Sequence, residues 1–322
     1  MRVIIKLISG IGIKKMKKHR NSLLELYRIF LCFWAMYAHD FFILERSEVF
    51  SVAQLTVDFF YIISGYFLIS TMRKLKNENP FIGAGKLMIG RIKPIFFSMV
   101  FATAFNAVCM LLFIRADFWD VLFTNFRYWW FLLYLVISIG IIYLIYRLIN
   151  NEKAFAIFLI VLTIAMGVFH YQMEENGFFI YVFTYVARTF GCLAVGMLCS
   201  YLPKWKPKVF NVNIVLVAVL FGVVFYLAYA EKEYWTRILM IGLFACLVYF
   251  TTNVNFSCKV LDVIGTMSTR MYVYFAFVSM LCVLGVTDCK LLFTINVFLS
   301  TMDLLLTHYY KKYKALKNAT IA

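Results

Sequence analysis

The sequence predicts an all-α membrane protein, a polytopic bundle of about ten transmembrane helices with both termini in the cytoplasm (N-in and C-in). Three observations predict it. Of 322 residues, 64% are hydrophobic and 15% charged, with a mean hydropathy of +0.84, whereas a soluble domain is nearer half apolar and a quarter charged. The apolar residues gather in stretches close to the ~20 residues that cross a bilayer. The net charge of +16 lies in short segments between those stretches, which is a topology signal rather than a nucleic-acid-binding face.

Residues 1–20 read as a basic N-terminal segment. MRVIIKLISGIGI has a short apolar run, then basic residues and no small-residue cleavage site, which argues against a signal peptide. It reads as an interfacial helix, or translation starts at Met16. Candidate spans follow near 23–44, 52–72, 92–114, 128–149, 154–170, 178–201, 209–230, 234–250, 260–286 and 289–309, the fifth and eighth short. Ser22 and Glu25 have the spacing of a capping box for the first span. Residues 311–322 form a basic tail, so one membrane domain occupies 21–310. With the N-terminus inside, 23 basic residues fall in cytoplasmic segments and 6 in outer loops. An even number of spans keeps both basic tails inside.

The 8 cysteines are scattered with no CxxC pair, which suggests neither a zinc site nor a disulfide framework. No metal is expected.

The first span, ELYRIFLCFWAMYAHD, places Arg28 and His39 in an apolar helix. Eleven residues at ~100° each come to ~20° beyond three turns, so both side chains leave one helix face, ~16 Å apart along the axis. Each alone reads as a snorkelling or capping residue. Together they outline a polar stripe, and ionisable groups within a membrane usually face a cavity or pathway. Histidine suits general-base work and arginine suits a phosphate. A base deep in the bundle and an anion site near the cytosol fit a long phosphorylated cosubstrate, such as coenzyme A with its pantetheine arm. Asp40 faces elsewhere. Asp58, in the second span, is expected to orient the imidazole or to pair with Arg28. Arg188, far from either end of the sixth span, is expected to meet a carboxylate, with Asp303 a candidate, or a phosphate.

The sequence resembles the integral-membrane acyltransferase-three family. The resemblance rests on Arg-x10-His in the first span (Arg28, His39) and on VDFFYIISGYFLI, with Phe59, Phe60, Ser64, Gly65 and Tyr66. It rests also on RIKP, Arg91 to Pro94, on WWFLLYL, with Trp130, Phe131 and Leu132, and on GTMSTRMY, with Gly265, Ser268 and Tyr272. Phe275 stands where the family often carries a second histidine. The resemblance implies transfer of an acyl group, most often acetyl, from acyl-CoA, with no bound cofactor. It implies a cell-surface polysaccharide or its lipid-linked precursor as acceptor, and the bacterial inner membrane as location. His39 would be the base or a transient acyl carrier, and Arg28 would hold donor phosphate or orient His39. Lys86, Arg91 and Lys93 would draw in the nucleotide end, or serve topology alone. Ser64 and Gly65 would let the second helix approach the first closely.

Two rival readings fit part of this pattern. A polysaccharide flippase or transporter also has many spans and buried charges, but needs no Arg/His register and usually has twelve or more spans. A polysaccharide polymerase would carry a large outer loop; the longest here is about 13 residues, 115–127.

Overall fold

The computed structural model describes residues 21–45, 50–114, 118–174, 181–204, 215–220, 222–223, 234–254, 256–286 and 288–321. The N-terminal segment 1–20 and most of the outer loops lie outside the described residues. Among the described residues all regular structure is helical. In chain order the helices are α1 (Ser22–Glu45), α2 (Phe50–Lys74), α3 (Pro80–Ile92), α4 (Phe96–Cys109, continued by a π turn over Met110–Ile114), α5 (Phe118–Ile149), α6 (Glu152–Glu174), α7 (Tyr181–Tyr201), α8 (Tyr234–Asn253), α9 (Lys259–Val283) and α10 (Cys289–Ile321). Residues 215–220 are also helical and account for part of the expected span at 209–230.

Five of these helices contain segments long and apolar enough to cross a bilayer: Phe96–Phe113, Trp129–Ile149, Glu152–Phe169, Phe183–Tyr201 and Lys290–Tyr310. Their outward faces are apolar. Leu111, Leu112, Phe113, Ile157, Ile160, Val161 and Ile164 are all exposed, a surface suited to hydrocarbon and costly in water.

One helix was not foreseen. The charged stretch after the second span reads as a loop, yet Pro80–Ile92 is helical. Asn79 caps it by accepting from Phe81 and Ile82 N–H at 3.0 and 3.4 Å, and Pro80 fits the first turn because no hydrogen bond is asked of its nitrogen there. Thirteen residues span ~20 Å, too short to cross. The helix lays Gly83, Ala84 and Leu87 inward. Gly83 lies against the Tyr143 ring on α5, leaving no room for a Cβ. The turn before it is tied to α5 as well: Tyr143 Oη donates to Leu75 O at 2.7 Å and Arg147 Nη1 to Glu78 O at 2.5 Å.

Helix ends gather at one end of the bundle. Glu152, opening α6, accepts from Arg73 at the end of α2 (3.0 Å), from Tyr146 of α5 (2.9 Å) and from Tyr201 of α7 (2.6 Å). Tyr249 near the end of α8 donates to Pro203 O just beyond α7. Asn21 Nδ2, before α1, donates to Thr251 O and Val254 O at the end of α8 (2.5 and 2.8 Å). Arg73, Lys74, Arg147, Lys153, Lys204 and Lys259 all lie at these helix ends, and we refer to this as the basic end.

α2 is central, packed by α1, α5, α7 and α8, and Phe59, Tyr61, Ile62, Leu68 and Met72 on it are fully buried. Its tightest crossing is with α7. A Cβ on Gly65 would strike Leu193 O, and one on Gly196 would strike Ile62 O, so each helix offers a glycine to the other's backbone. The partner of Gly65 is therefore α7, not the first helix as the sequence suggested. Ser64, one residue earlier, is half-buried.

Candidate functional site

The site begins at the start of α1. Asn21 Oδ1 accepts from Leu23 and Leu24 N–H at 3.1 and 3.2 Å, so Asn21 is the cap and the expected Ser22–Glu25 capping box does not form. Ser22 is spent on α9 and its approach: its hydroxyl donates to Asp262 Oδ1 (2.7 Å) and accepts from Cys258 N–H (2.6 Å). Glu25, released from capping, turns to Arg28. Arg28 Nη1 donates to both Glu25 carboxylate oxygens (3.2 and 3.0 Å), and Nη2 donates to Thr269 Oγ1 of α9 (3.1 Å).

Gly265 makes this arrangement possible. It lies against the Glu25 side chain so closely that a Cβ would overlap it, which gives a physical reason for the glycine of GTMSTRMY. Four residues on, Thr269 completes the Arg28 contact from the same face of α9. Arg91, in the last turn of α3, is half-buried; burial, and then the nearby charge of Arg28, pull its guanidinium below its usual pKa. The two guanidinium charges are thus near enough to oppose each other, which suits an anion with more than one charge. The other two expected cations stand apart. Lys86 pairs with Glu78 at 2.7 Å on the surface, and Lys93 is exposed at the end of α3.

α1 is one uninterrupted helix from Ser22 to Glu45, so Arg28 and His39 share a face ~16 Å apart, as the spacing requires. The side chains of His39 and Asp40 lie outside the described residues. What flanks that face is described. On one side Leu24, Tyr27 and Leu31 join the main core with α2. On the other, Ile29, Cys32 and Met36 pack with Met271 of α9, and Cys32 Sγ donates to Ser268 O at 3.2 Å. Around Arg28 this face of α1 therefore follows the seam where α1 meets both α2 and α9. Phe60 and Tyr272 pack against both clusters, and the Phe131 ring lies against both of them (ring centroids 6.4 and 5.1 Å). These are residues of the Phe-Phe, GTMSTRMY and WWFLLYL motifs, brought to one place by three helices.

A family model described as an acyltransferase domain matches residues 21–301, from the cap of α1 into the middle of α10. The chain belongs to this acyltransferase family. It is a membrane acyltransferase in outline, and the resemblance read from its motifs holds over nearly the whole helical region. Comparison with curated proteins and with solved structures gives no match.

Other expected contacts of this acyltransferase are corrected. Asp58 does not reach Arg28. It forms an ion pair with Arg188 of α7, with the two residues 0% and 3% exposed. Asp58 shares its face of α2 with Ile62 and Gly65, whereas Phe60, which packs against both clusters, lies ~200° round the helix. Nor does Arg188 meet Asp303, which pairs with Arg270 at 3.3 Å and accepts from Ser98 of α4 and from Thr307. Trp130 stacks on Tyr185 of α7 (centroids 4.1 Å), with Tyr134 alongside. Tyr66 is half-buried with its ring edge-on to Phe67. Phe275, in the place of the second histidine, packs as an apolar residue beside Cys32 and Met271. Glu25 and Thr269 were not singled out as site residues, and only the helical spacing of Glu25 and Arg28 hints at their pairing.

Proposed function

We propose that this chain is an integral-membrane O-acyltransferase that moves an acyl group, acetyl in the simplest case, from acyl-CoA to a hydroxyl of a cell-surface polysaccharide or its lipid-linked precursor. The observation that carries the reading is a fixed Arg28 at the basic end, its charge felt at Arg91, with His39 on the same helix face ~16 Å deeper. The excess of basic residues at that end supports a cytosolic orientation, and the cytosol is where coenzyme A is available. Arg28 and Arg91 bind the donor phosphates there, and the pantetheine arm runs along the seam toward His39. Lys86 and Lys93 contribute to the attracting field.

At the deeper end His39 acts as general base. It takes the proton of the acceptor hydroxyl as the oxygen attacks the thioester carbonyl. The tetrahedral intermediate collapses with cleavage of the C–S bond, and the departing CoA thiolate takes the proton back from the imidazolium. Acceptor and donor are both substrates, and the chain carries no cofactor through the cycle. The bacterial inner membrane is the setting this chemistry implies.

The test is transfer of labelled acetyl from acetyl-CoA to a surface-glycan extract by membranes containing the protein. His39→Ala and Arg28→Ala each abolish most of the transfer. Unchanged transfer in both variants would sink the mechanism, and a defect in glycan export without any change in acetylation would point to a transporter.

A further inference from the structure

We infer that Glu25 is a positioning residue for Arg28, with Gly265 as the notch that lets it act; this rests on the reading of Arg28 as part of the donor site. A carboxylate beside an arginine meant for phosphate is at first sight a competitor. The geometry gives it another role. Both Glu25 oxygens engage Nη1 alone, and Thr269 takes one hydrogen of Nη2. Nε has no hydrogen-bond partner among the described residues. Nε is itself buried, so what the guanidinium offers a phosphate is the 24% of the side chain that stays open and the terminal N–H hydrogens that Glu25 and Thr269 leave unused. A long, rotatable side chain is thereby held at both of its terminal nitrogens. That removes ordering cost from the binding step.

Glu25 itself is well placed to act as a fixed anchor. It is 6% exposed, its backbone lies within the first turn of α1 with its N–H donating to Asn21 O at 3.2 Å, and its carboxylate lies over Gly265. A side chain at 265 would evict it. The cap of α1 is already supplied by Asn21, so helix capping does not explain the acid.

The experiment is a steady-state measurement of KM and kcat for acetyl-CoA in purified membranes. Glu25→Ala raises KM roughly tenfold with kcat within about twofold, because only donor alignment is lost. Glu25→Gln, which keeps the volume and an acceptor for Nη1, restores most of the affinity. Gly265→Ala raises KM as Glu25→Ala does, but adds nothing in the Glu25→Ala background, where the side chain it displaces is gone. If Glu25 serves only to neutralise charge, both Ala and Gln lower KM, and the inference is wrong. An additive effect of Gly265→Ala on Glu25→Ala also overturns it. Wild-type membranes inert toward acetyl-CoA would remove the donor-site reading itself, whereas active membranes with KM unchanged in Glu25→Ala would remove the positioning role alone.

Discussion

Two of the arginine–carboxylate pairs in this bundle lie at helix contacts that also carry a close-packed glycine, and we read the two differently. At the α2–α7 crossing, Asp58 and Arg188 are sealed, 0% and 3% exposed, and Gly65 and Gly196 bring backbone against backbone. At the α1–α9 contact, Glu25 is buried but the Arg28 side chain keeps 24% of its surface open, a second arginine stands nearby, and Gly265 makes room for a side chain rather than for a backbone. The first is a lock, and the second we read as a holder for the proposed donor. An ion pair in a membrane interior is therefore not by itself a mark of chemistry; what separates the two is how much of the cation stays open, 24% of the Arg28 side chain against 1% of that of Arg188.

The comparison is broken most forcefully at the lock. Arg188→Ala or Asp58→Ala strands a buried charge and costs about 3–5 kcal/mol of stability, read as a fall in the thermal midpoint of the detergent-solubilised protein. Replacing both partners with apolar residues of similar size recovers much of that loss. Arg28→Lys keeps the charge and shifts stability by no more than about 1 kcal/mol. Equal destabilisation at the two sites would erase the distinction.

The glycines sharpen it further. Gly196→Ala forces a Cβ onto Ile62 O, a backbone atom that cannot rotate away, and costs about 1–3 kcal/mol. Gly265→Ala meets a movable side chain, so it shifts the midpoint less. The smallest effect belongs to the surface: Arg73 and Glu152 are 49% and 39% exposed, and Arg73→Ala costs at most about 1 kcal/mol, measured in the same melts.

Much of the holder was legible in the sequence, and little of the lock. The register of Arg28 and His39 follows from helix geometry alone, because it concerns one helix. The partner of Arg188 does not, because spacing fixes the face of a helix and not which neighbour lies against it. Asp58 was expected to pair with Arg28 or to orient His39; it pairs with Arg188 of α7 and not with Arg28, and the His39 side chain lies outside the described residues. Glu25 was misread for a subtler reason: the same three-residue spacing serves a capping box and an i,i+3 ion pair, and Asn21, one place earlier, takes the cap. The helix Pro80–Ile92 was hidden by its charge, although Asn79-Pro80 is a good start signal. Thr269 has no signature at all, since a threonine in an apolar helix is unremarkable until its neighbour is known.

The central claim is that Arg28 holds the acyl donor while His39 performs the transfer. The most direct test is the acetyl-CoA concentration dependence of label transfer in Arg28→Lys beside His39→Ala. Loss of the planar fork predicts a KM for acetyl-CoA raised roughly tenfold in Arg28→Lys with kcat nearly kept, and loss of the base predicts kcat reduced by about a hundredfold or more in His39→Ala with KM nearly kept. An Arg28→Lys enzyme with wild-type KM, or a His39→Ala enzyme with wild-type kcat, would contradict it.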